Sequence, residues 1–286
     1  MRVLVLGGGQ IAKAVAAGAP ARHEVVIRTH GELDIVDEAA VARELGKFKA
    51  DWVVNAAAYT AVDLAEDEAA QAIAVNDTAV ASLVRTAATA RCKLLHLSTD
   101  FVFDGGSRRA YLPLDRTNPL SVYGTSKLGG ERHVVAGGNG IVLRTSWVYA
   151  AEGKNFVLTM LRLMREKEQI NVVCDQIGAP TWAASAAAAI WGMVDKQAAP
   201  GIYHWTDSGV ASWYDFAVAI QDEALALGLL SRAIPILPID SSEYPTKAQR
   251  PAFSVLDSAA TRLLLKLPAT HWRHNLRMML DELRAA

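Results

Sequence analysis

Apolar positions in the first half of the chain fall in short unbroken runs. Residues 2–6, 24–27, 52–55, 93–98 and 141–144 are rich in Val, Ile and Leu with little alternation, the pattern of strands covered by helices on both faces. Between them, residues 10–18, 37–48, 65–90 and 123–135 space their apolar side chains at helical intervals. Strand and helix alternate as the crossover units of a parallel sheet require. Residues 1–150 therefore predict an α/β, doubly wound parallel sheet of the Rossmann type.

After Tyr149 the pattern loosens into single helices separated by Pro and Gly stretches, notably Gly178-Ala179-Pro180, Ala199-Pro200-Gly201 and residues 234–251. One helix is predicted after Ser212, where Ser212-Trp213-Tyr214-Asp215 sets a capping hydroxyl three positions before an acid; another covers 275–284. Residues 151–286 read as a smaller C-terminal substrate lobe, some of whose segments can return to the first domain. No internal repeat is present.

Composition narrows the class. A chain of 286 residues that is 51% hydrophobic is neither disordered nor a disulfide miniprotein. With 29 basic against 30 acidic residues, and no run of five like charges, no single-sign field favours nucleic acid or a membrane surface. The opening apolar run with Ala19-Pro20-Ala21 imitates a secretory signal, but three glycines and Lys13 interrupt it where a strand, turn and helix fit. The longest later apolar run, 182–194, is alanine-rich and too short to span a bilayer, so no transmembrane segment is expected. Cys92 and Cys174 sit in apolar, strand-like runs, which suits a reducing cytosol and a cytoplasmic protein.

Candidate chemistry begins with Gly7-Gly8-Gly9-Gln10-Ile11-Ala12, a G-x-G-x-x-A directly after the first strand. Gly7 would make the tight turn, Gly9 would let the N–H groups of Gln10 and Ile11 approach a pyrophosphate, and Ala12 would allow close helix–strand packing. No carboxylate stands at Arg28-Thr29-His30, where a ribose partner is usual. Arg28 is the candidate for a 2′-phosphate, favouring NADPH over NADH, and Asp34 is a candidate for the adenosine.

Tyr123-Gly124-Thr125-Ser126-Lys127 puts a phenol and an ammonium on one helical face, and Thr99 ends the strand 93–98 that precedes it. In such sheets ligands collect outside the carboxyl ends of strands. Hydride transfer to a carbonyl carbon needs an acid for its oxygen. Tyr123 would be that acid, Thr99 would hold the oxygen, and Lys127 would grip the nicotinamide ribose and stabilise phenolate. Bringing a phenol from about 10 to neutrality asks for roughly 4 kcal/mol; in the reducing direction the phenol starts protonated. These residues alone specify a carbonyl reductase.

Other polar groups have plainer readings. His96 reads as a core histidine, and Glu66, Asp67 and Glu68 suit the positive end of the third helix. Tyr59 and Trp213 are core aromatics or ligand contacts, and Asp100 and Asp104 are loop caps or catalytic groups.

The stretches Asn55-Ala56-Ala57-Ala58-Tyr59-Thr60-Ala61-Val62-Asp63, Ser98-Thr99-Asp100-Phe101-Val102-Phe103-Asp104-Gly105, Tyr123–Lys127, Arg144-Thr145-Ser146-Trp147-Val148-Tyr149 and Asp175-Gln176-Ile177-Gly178-Ala179-Pro180-Thr181 resemble the dTDP-4-dehydrorhamnose reductase family. These are extended short-chain dehydrogenase/reductases. The likeness runs over nearly the whole chain, ending at Arg250-Pro251, and the set in this order is specific. It implies Thr99, Tyr123 and Lys127 as the catalytic triad and Ala57, Ala58 and Tyr59 along the cofactor. It implies Trp147 against the deoxyhexulose and Arg250 as a diphosphate partner. The implied reaction is C4 reduction of dTDP-6-deoxy-L-lyxo-4-hexulose to dTDP-L-rhamnose, with NADPH or NADH.

Three departures stand out. The glycine turn is one residue shorter than the family's usual G-x-x-G-x-x-G. Phe101, on the substrate side, stands where many members have tyrosine. Ala14 and its neighbours offer no carboxylate for the magnesium ion described between subunits of some members, so no metal is expected, and monomer and homodimer stay open. The alternatives are a C4 reductase of another dTDP-deoxysugar, an epimerase using bound NAD⁺ transiently, and a non-catalytic regulatory protein on the same scaffold.

Overall fold

The computed structural model describes residues 1–285. In chain order its strands and helices are β1 (Arg2–Leu6), α1 (Gln10–Ala17), β2 (Glu24–Arg28), α2 (Glu38–Phe48), β3 (Trp52–Asn55), α3 (Ala69–Ile73), α4 (Ala79–Thr89), β4 (Lys93–Thr99), α5 (Val122–Ala136) and β5 (Gly140–Thr145). There follow β6 (Val148–Tyr149), α6 (Phe156–Glu166), β7 (Ile170–Val173), β8 (Ile177–Gly178), β9 (Thr181–Trp182), α7 (Ala183–Asp195), β10 (Gly201–His204), β11 (Ala211–Ser212), α8 (Trp213–Ala226), β12 (Ile236–Ile239), α9 (Ala259–Leu265) and α10 (Trp272–Ala285).

A six-stranded sheet in the order β2-β1-β3-β4-β5-β10 is parallel throughout. Both faces are covered, so successive residues of one strand serve two cores. Val3 and Val5 join the cluster under α1 and α7; Leu4 and Leu6 join the one under α2, α4 and α5. This is why the strands read as unbroken apolar runs. The order reverses direction between β1 and β3, the topological switch point where ligands bind in such sheets.

The second half weaves between two units. Helices α6, α8 and α10 enclose a separate core with Tyr149, Phe216, Ile220 and Leu276, and the parallel β7–β12 pair supplies Ile170 and Val172 to it. The capping box before α8 forms as expected, with Ser212 and Asp215 bonded reciprocally. Between these visits α7 packs on the large sheet beside α1, and β10 becomes its sixth strand. The sequence left Gly201–His204 unassigned because a four-residue edge strand next to Pro200 carries almost no period.

One expected element differs. The single helix anticipated over 65–90 is a short 3₁₀ turn (Leu64–Glu66), then α3, a π-turn (Ala74–Thr78) and α4. The inserted turn presents Asn76, buried, to the loop after β3 and to α5. Single π-turns inside α-helices frequently lie at functional sites.

Candidate active site

The cleft begins where β1, β2 and β3 end. Gly7 N–H donates to the Arg28 carbonyl and Ala56 N–H to the Leu6 carbonyl, each at 2.8 Å. A Cβ on Gly7 would lie 2.8 Å from the Ala56 carbonyl carbon and the Ala57 nitrogen, and its φ is +116°. Only glycine fits. Gly9 differs: it is the N-cap of α1, no side chain caps it, and a Cβ there meets nothing within 4 Å. The first N–H groups of α1 therefore open onto free space at the positive end of a helix, a cradle that suits a pyrophosphate. The Ile11 side chain packs into the sheet core, leaving its backbone for this role. Gln10 turns toward the other lobe, its Oε1 accepting from Asn155 Nδ2 at 2.9 Å.

At the end of β2, Arg28 is half-buried and bonded to Glu44, Nε to Oε1 at 2.7 Å. A carboxylate is also nearby. Glu32 folds back to accept from the Thr29 N–H and hydroxyl at 2.9 and 2.8 Å, which hold it below the usual carboxylate range. Three residues of spacing hid Glu32 from the sequence. Asp34 is exposed and accepts from the Val36 N–H at 3.0 Å, a turn bond of its own loop.

The loop after β3 is clamped by Asn76, whose Oδ1 accepts from Tyr59 N–H at 2.9 Å and whose Nδ2 donates to the Tyr59 carbonyl at 3.0 Å. Ala57 N–H donates to Asn55 Oδ1 at 3.2 Å. Ala57, Ala58 and Tyr59 are all half-buried along the cleft. The three acids read at the helix start do precede α3, Glu68 as its N-cap, and their side chains also hold loops together. Glu66 accepts from Val122 N–H at 2.9 Å, Glu68 from the Tyr59 hydroxyl at 2.8 Å, and Asp67 pairs with Lys247.

Thr99 closes β4 opposite Thr145 of β5. Its hydroxyl accepts from Phe101 N–H and donates to Asp100 Oδ1, both at 3.1 Å. Helix α5 starts at the Ser121 cap, which accepts from Gly124 N–H at 3.1 Å. Gly124 lets the helix lie against the turn after β4, since a Cβ there would run into the Phe101 carbonyl. This packing brings Tyr123 to Thr99 and sets Phe101 edge-on to its ring, centroids 5.6 Å apart. Burial and the Asp100 carboxylate push the phenol up to about 12, against the pull of the Thr99 hydroxyl. Asp100 is buried, has one oxygen without a partner, and is raised by burial to about 6. Asp104 only ties its loop, through Gly106, Tyr111 and Asn118.

Lys127 is 3% exposed. Its Nζ donates to the Leu97 carbonyl at 2.6 Å and lies 3.4 Å from His96 Nε2. Burial brings it down to about 8, with Glu131 opposing. Thr99, Tyr123 and Lys127 thus gather at the carboxyl end of β4.

The other lobe contributes two features. Trp147 follows β5 with φ +49° and stacks on Trp213, centroids 3.6 Å apart. Arg250 donates to Asp63 Oδ2 at 2.7 Å, beside a cleft of about 470 Å³ that Asp175, Gln176, Ser241 and Lys247 also line. Asn76 and Asn55 were missed by the sequence reading; an asparagine inside a helical period, as in Val75-Asn76-Asp77, was the available signal.

A switch-point glycine turn, an uncapped α1 and a Thr/Tyr/Lys cluster on one doubly wound sheet define a short-chain dehydrogenase/reductase-type protein. Comparison with known proteins narrows this. Residues 1–285 match the RmlD substrate binding domain family, and the chain belongs to it. It is 41% identical over 286 residues to a dTDP-4-dehydrorhamnose reductase of Burkholderia thailandensis, covering 96% of each chain. It is 39% identical over 285 residues to that of Aggregatibacter actinomycetemcomitans, covering 96% of this chain and 97% of that one. The crystal structure of the Bacillus anthracis dTDP-4-dehydrorhamnose reductase in complex with NADP superposes with a TM-score of 0.93 at 31% identity, covering 98% and 99% of the two chains.

Proposed function

We propose that this protein reduces the C4 keto group of dTDP-6-deoxy-L-lyxo-4-hexulose to give dTDP-L-rhamnose, using NADPH. The observation that carries this is the assembly of Thr99, Tyr123 and Lys127 at the end of β4, beside an α1 N-terminus that no side chain caps. The likeness to reductases of the same length and the NADP-bound relative support it.

Gly7 and Gly9 with the backbone of Gln10 and Ile11 would hold the pyrophosphate, and Ala57, Ala58 and Tyr59 would line the nicotinamide half. Arg28 would meet the 2′-phosphate, sharing its guanidinium with Glu44; Asp34, its Oδ1 engaged within its own turn, would reach the adenosine from the rim. Lys127 would hold the nicotinamide ribose. The chemistry that a bound reduced nicotinamide supplies is a hydride for the C4 carbon.

Tyr123 gives its proton to the C4 oxygen as that oxygen becomes basic. A phenol held at about 12 is fully protonated at neutral pH, which suits an acid and opposes the reverse oxidation. The Thr99 hydroxyl holds the same oxygen in reach of the phenol. Phe101 packs edge-on against the Tyr123 ring, and Trp147, stacked on Trp213, would offer a flat wall to the hexulose. Arg250 would take the diphosphate in a bidentate fashion, with Asp63 fixing its approach.

Purified protein given this keto sugar and NADPH should consume the coenzyme and yield dTDP-L-rhamnose by NMR. Coenzyme consumption only with a different dTDP-4-keto sugar would reassign the substrate. No consumption by folded protein with any of them would overturn the reading.

A further inference from the structure

The reaction uses Lys127 but leaves unexplained the imidazole packed behind it. His96 is wholly buried in β4, with Nε2 3.4 Å from Lys127 Nζ and Nδ1 3.0 Å from Asn55 Nδ2. Asn55 is wholly buried too. Its Oδ1 accepts the Ala57 N–H at 3.2 Å, which fixes the amide so that Nδ2 faces the ring and donates to Nδ1. A neutral imidazole has one donor and one acceptor nitrogen, so the ring proton sits on Nε2, facing the lysine. Burial and Lys127 keep His96 neutral, well below its ordinary value. An N–H aimed at a lysine nitrogen bonds the lone pair of the amine and opposes the ammonium.

We propose that His96, oriented by Asn55, is the positioning residue for Lys127: with the Leu97 carbonyl it pins the lysine nitrogen at the base of the cleft, and its Nε2–H favours the uncharged amine in the ligand-free enzyme. The inference rests on the reading of Lys127 as a cofactor-holding group. It also ties the two ends of the cleft, because the Ala57 N–H that orients Asn55 lies in the loop assigned to the cofactor. Other groups around the lysine act differently. Glu131, one turn along α5, favours its cation, but that carboxylate is itself held by Ser98 of β4 and Arg144 of β5. From the π-turn, Asn76 reaches Ser126, and Asp77 is paired with His133 of α5.

The test titrates the free enzyme, with lysines ¹³C-labelled at Cε and the Lys127 signal assigned through Lys127→Arg, and compares wild type with His96→Gln, His96→Asn and His96→Leu. Glutamine keeps an N–H donor where Nε2 stood; asparagine keeps only the Asn55 side; leucine keeps neither. The Lys127 midpoint should rise by about one pH unit, tenfold in proton affinity, in the asparagine and leucine variants and stay near wild type with glutamine. The pH profile of kcat/KM for NADPH should move by the same amount. An unmoved midpoint in folded His96→Asn, or an equal rise in all variants, would overturn the inference. A midpoint that moves while the NADPH profile does not would uphold the His96–Lys127 coupling and overturn the cofactor role of Lys127.

Discussion

The two ends of the cleft are built from different materials. The nucleotide end is backbone: a glycine turn with φ +116° and helix N–H groups open to space. The catalytic end is side chain: Lys127, His96 and Asn55 form one buried chain of contacts, and the buried Asn76 and Asp100 bond to Ser126 and Thr99 beside it. Backbone donors carry a fixed partial charge that burial does not change, whereas buried side chains have their proton affinities reset by their surroundings. A binding surface can therefore be made by glycine and helix geometry alone. The acid, in contrast, is tuned by its surroundings: a phenol is already protonated at neutral pH, and burial holds Tyr123 further that way, at about 12.

This contrast predicts where substitutions act. The largest effect falls at the catalytic end: Tyr123→Phe should lower kcat by on the order of 10²–10⁴-fold with little change in the KM for NADPH, measured by coenzyme absorbance. Matched KM and kcat losses would place the phenol in binding. At the nucleotide end the two glycines should separate. Gly7→Ala forces a side chain into the Ala56–Ala57 backbone at a left-handed φ, so thermal unfolding should show a loss of roughly 2–4 kcal/mol. Gly9→Ala meets no neighbour and should cost under about 1 kcal/mol while weakening NADPH binding by calorimetry. Equal destabilisation would end the distinction between a packing glycine and a binding one.

Arg28→Ala should raise the KM for NADPH about fivefold, near 1 kcal/mol because Glu44 shares the guanidinium, and leave the KM for NADH unmoved. Equal effects on both coenzymes would remove the 2′-phosphate assignment and direct attention to Glu32.

The smallest effect is on acid sensitivity. Burial and Arg144 hold His204 near 3 in the fold, against about 6.5 in the unfolded chain. Its folded value is depressed, so the unfolded chain binds more protons as pH drops below 6.5 and stability falls from there toward 3. His204→Gln should flatten the melting temperature between pH 7 and 6 by an amount equivalent to under about 1 kcal/mol. An unchanged slope would place the acid response elsewhere.

The first five strands were legible because burial on both faces writes itself as unbroken Val, Ile and Leu runs. Both informative motifs were legible for a local reason: Gly7–Ala12 and Tyr123–Lys127 each complete their geometry within one turn. What escaped was set by distant contacts. Asn76, in the π-turn of a continuous helix, bonds Tyr59 and Ser126, 17 and 50 residues away in sequence. His96 looked like any core histidine until α5 laid Lys127 against it. Glu66 and Glu68 do stand at a helix start, but their side-chain partners, Val122 and Tyr59, come from outside that helix. Edge strand β10 was too short to show a period.

The central claim is that hydride reaches the C4 carbon of the sugar while Tyr123 protonates its oxygen. It is tested most directly by turnover with NADPH deuterated at the nicotinamide C4, each face in turn, followed by mass spectrometry and NMR of the product. The account predicts one deuterium at C4 of dTDP-L-rhamnose from one of the two faces, and almost none formed by Tyr123→Phe in the same time. Deuterium at another carbon, or an epimerised sugar carrying no label, would contradict it.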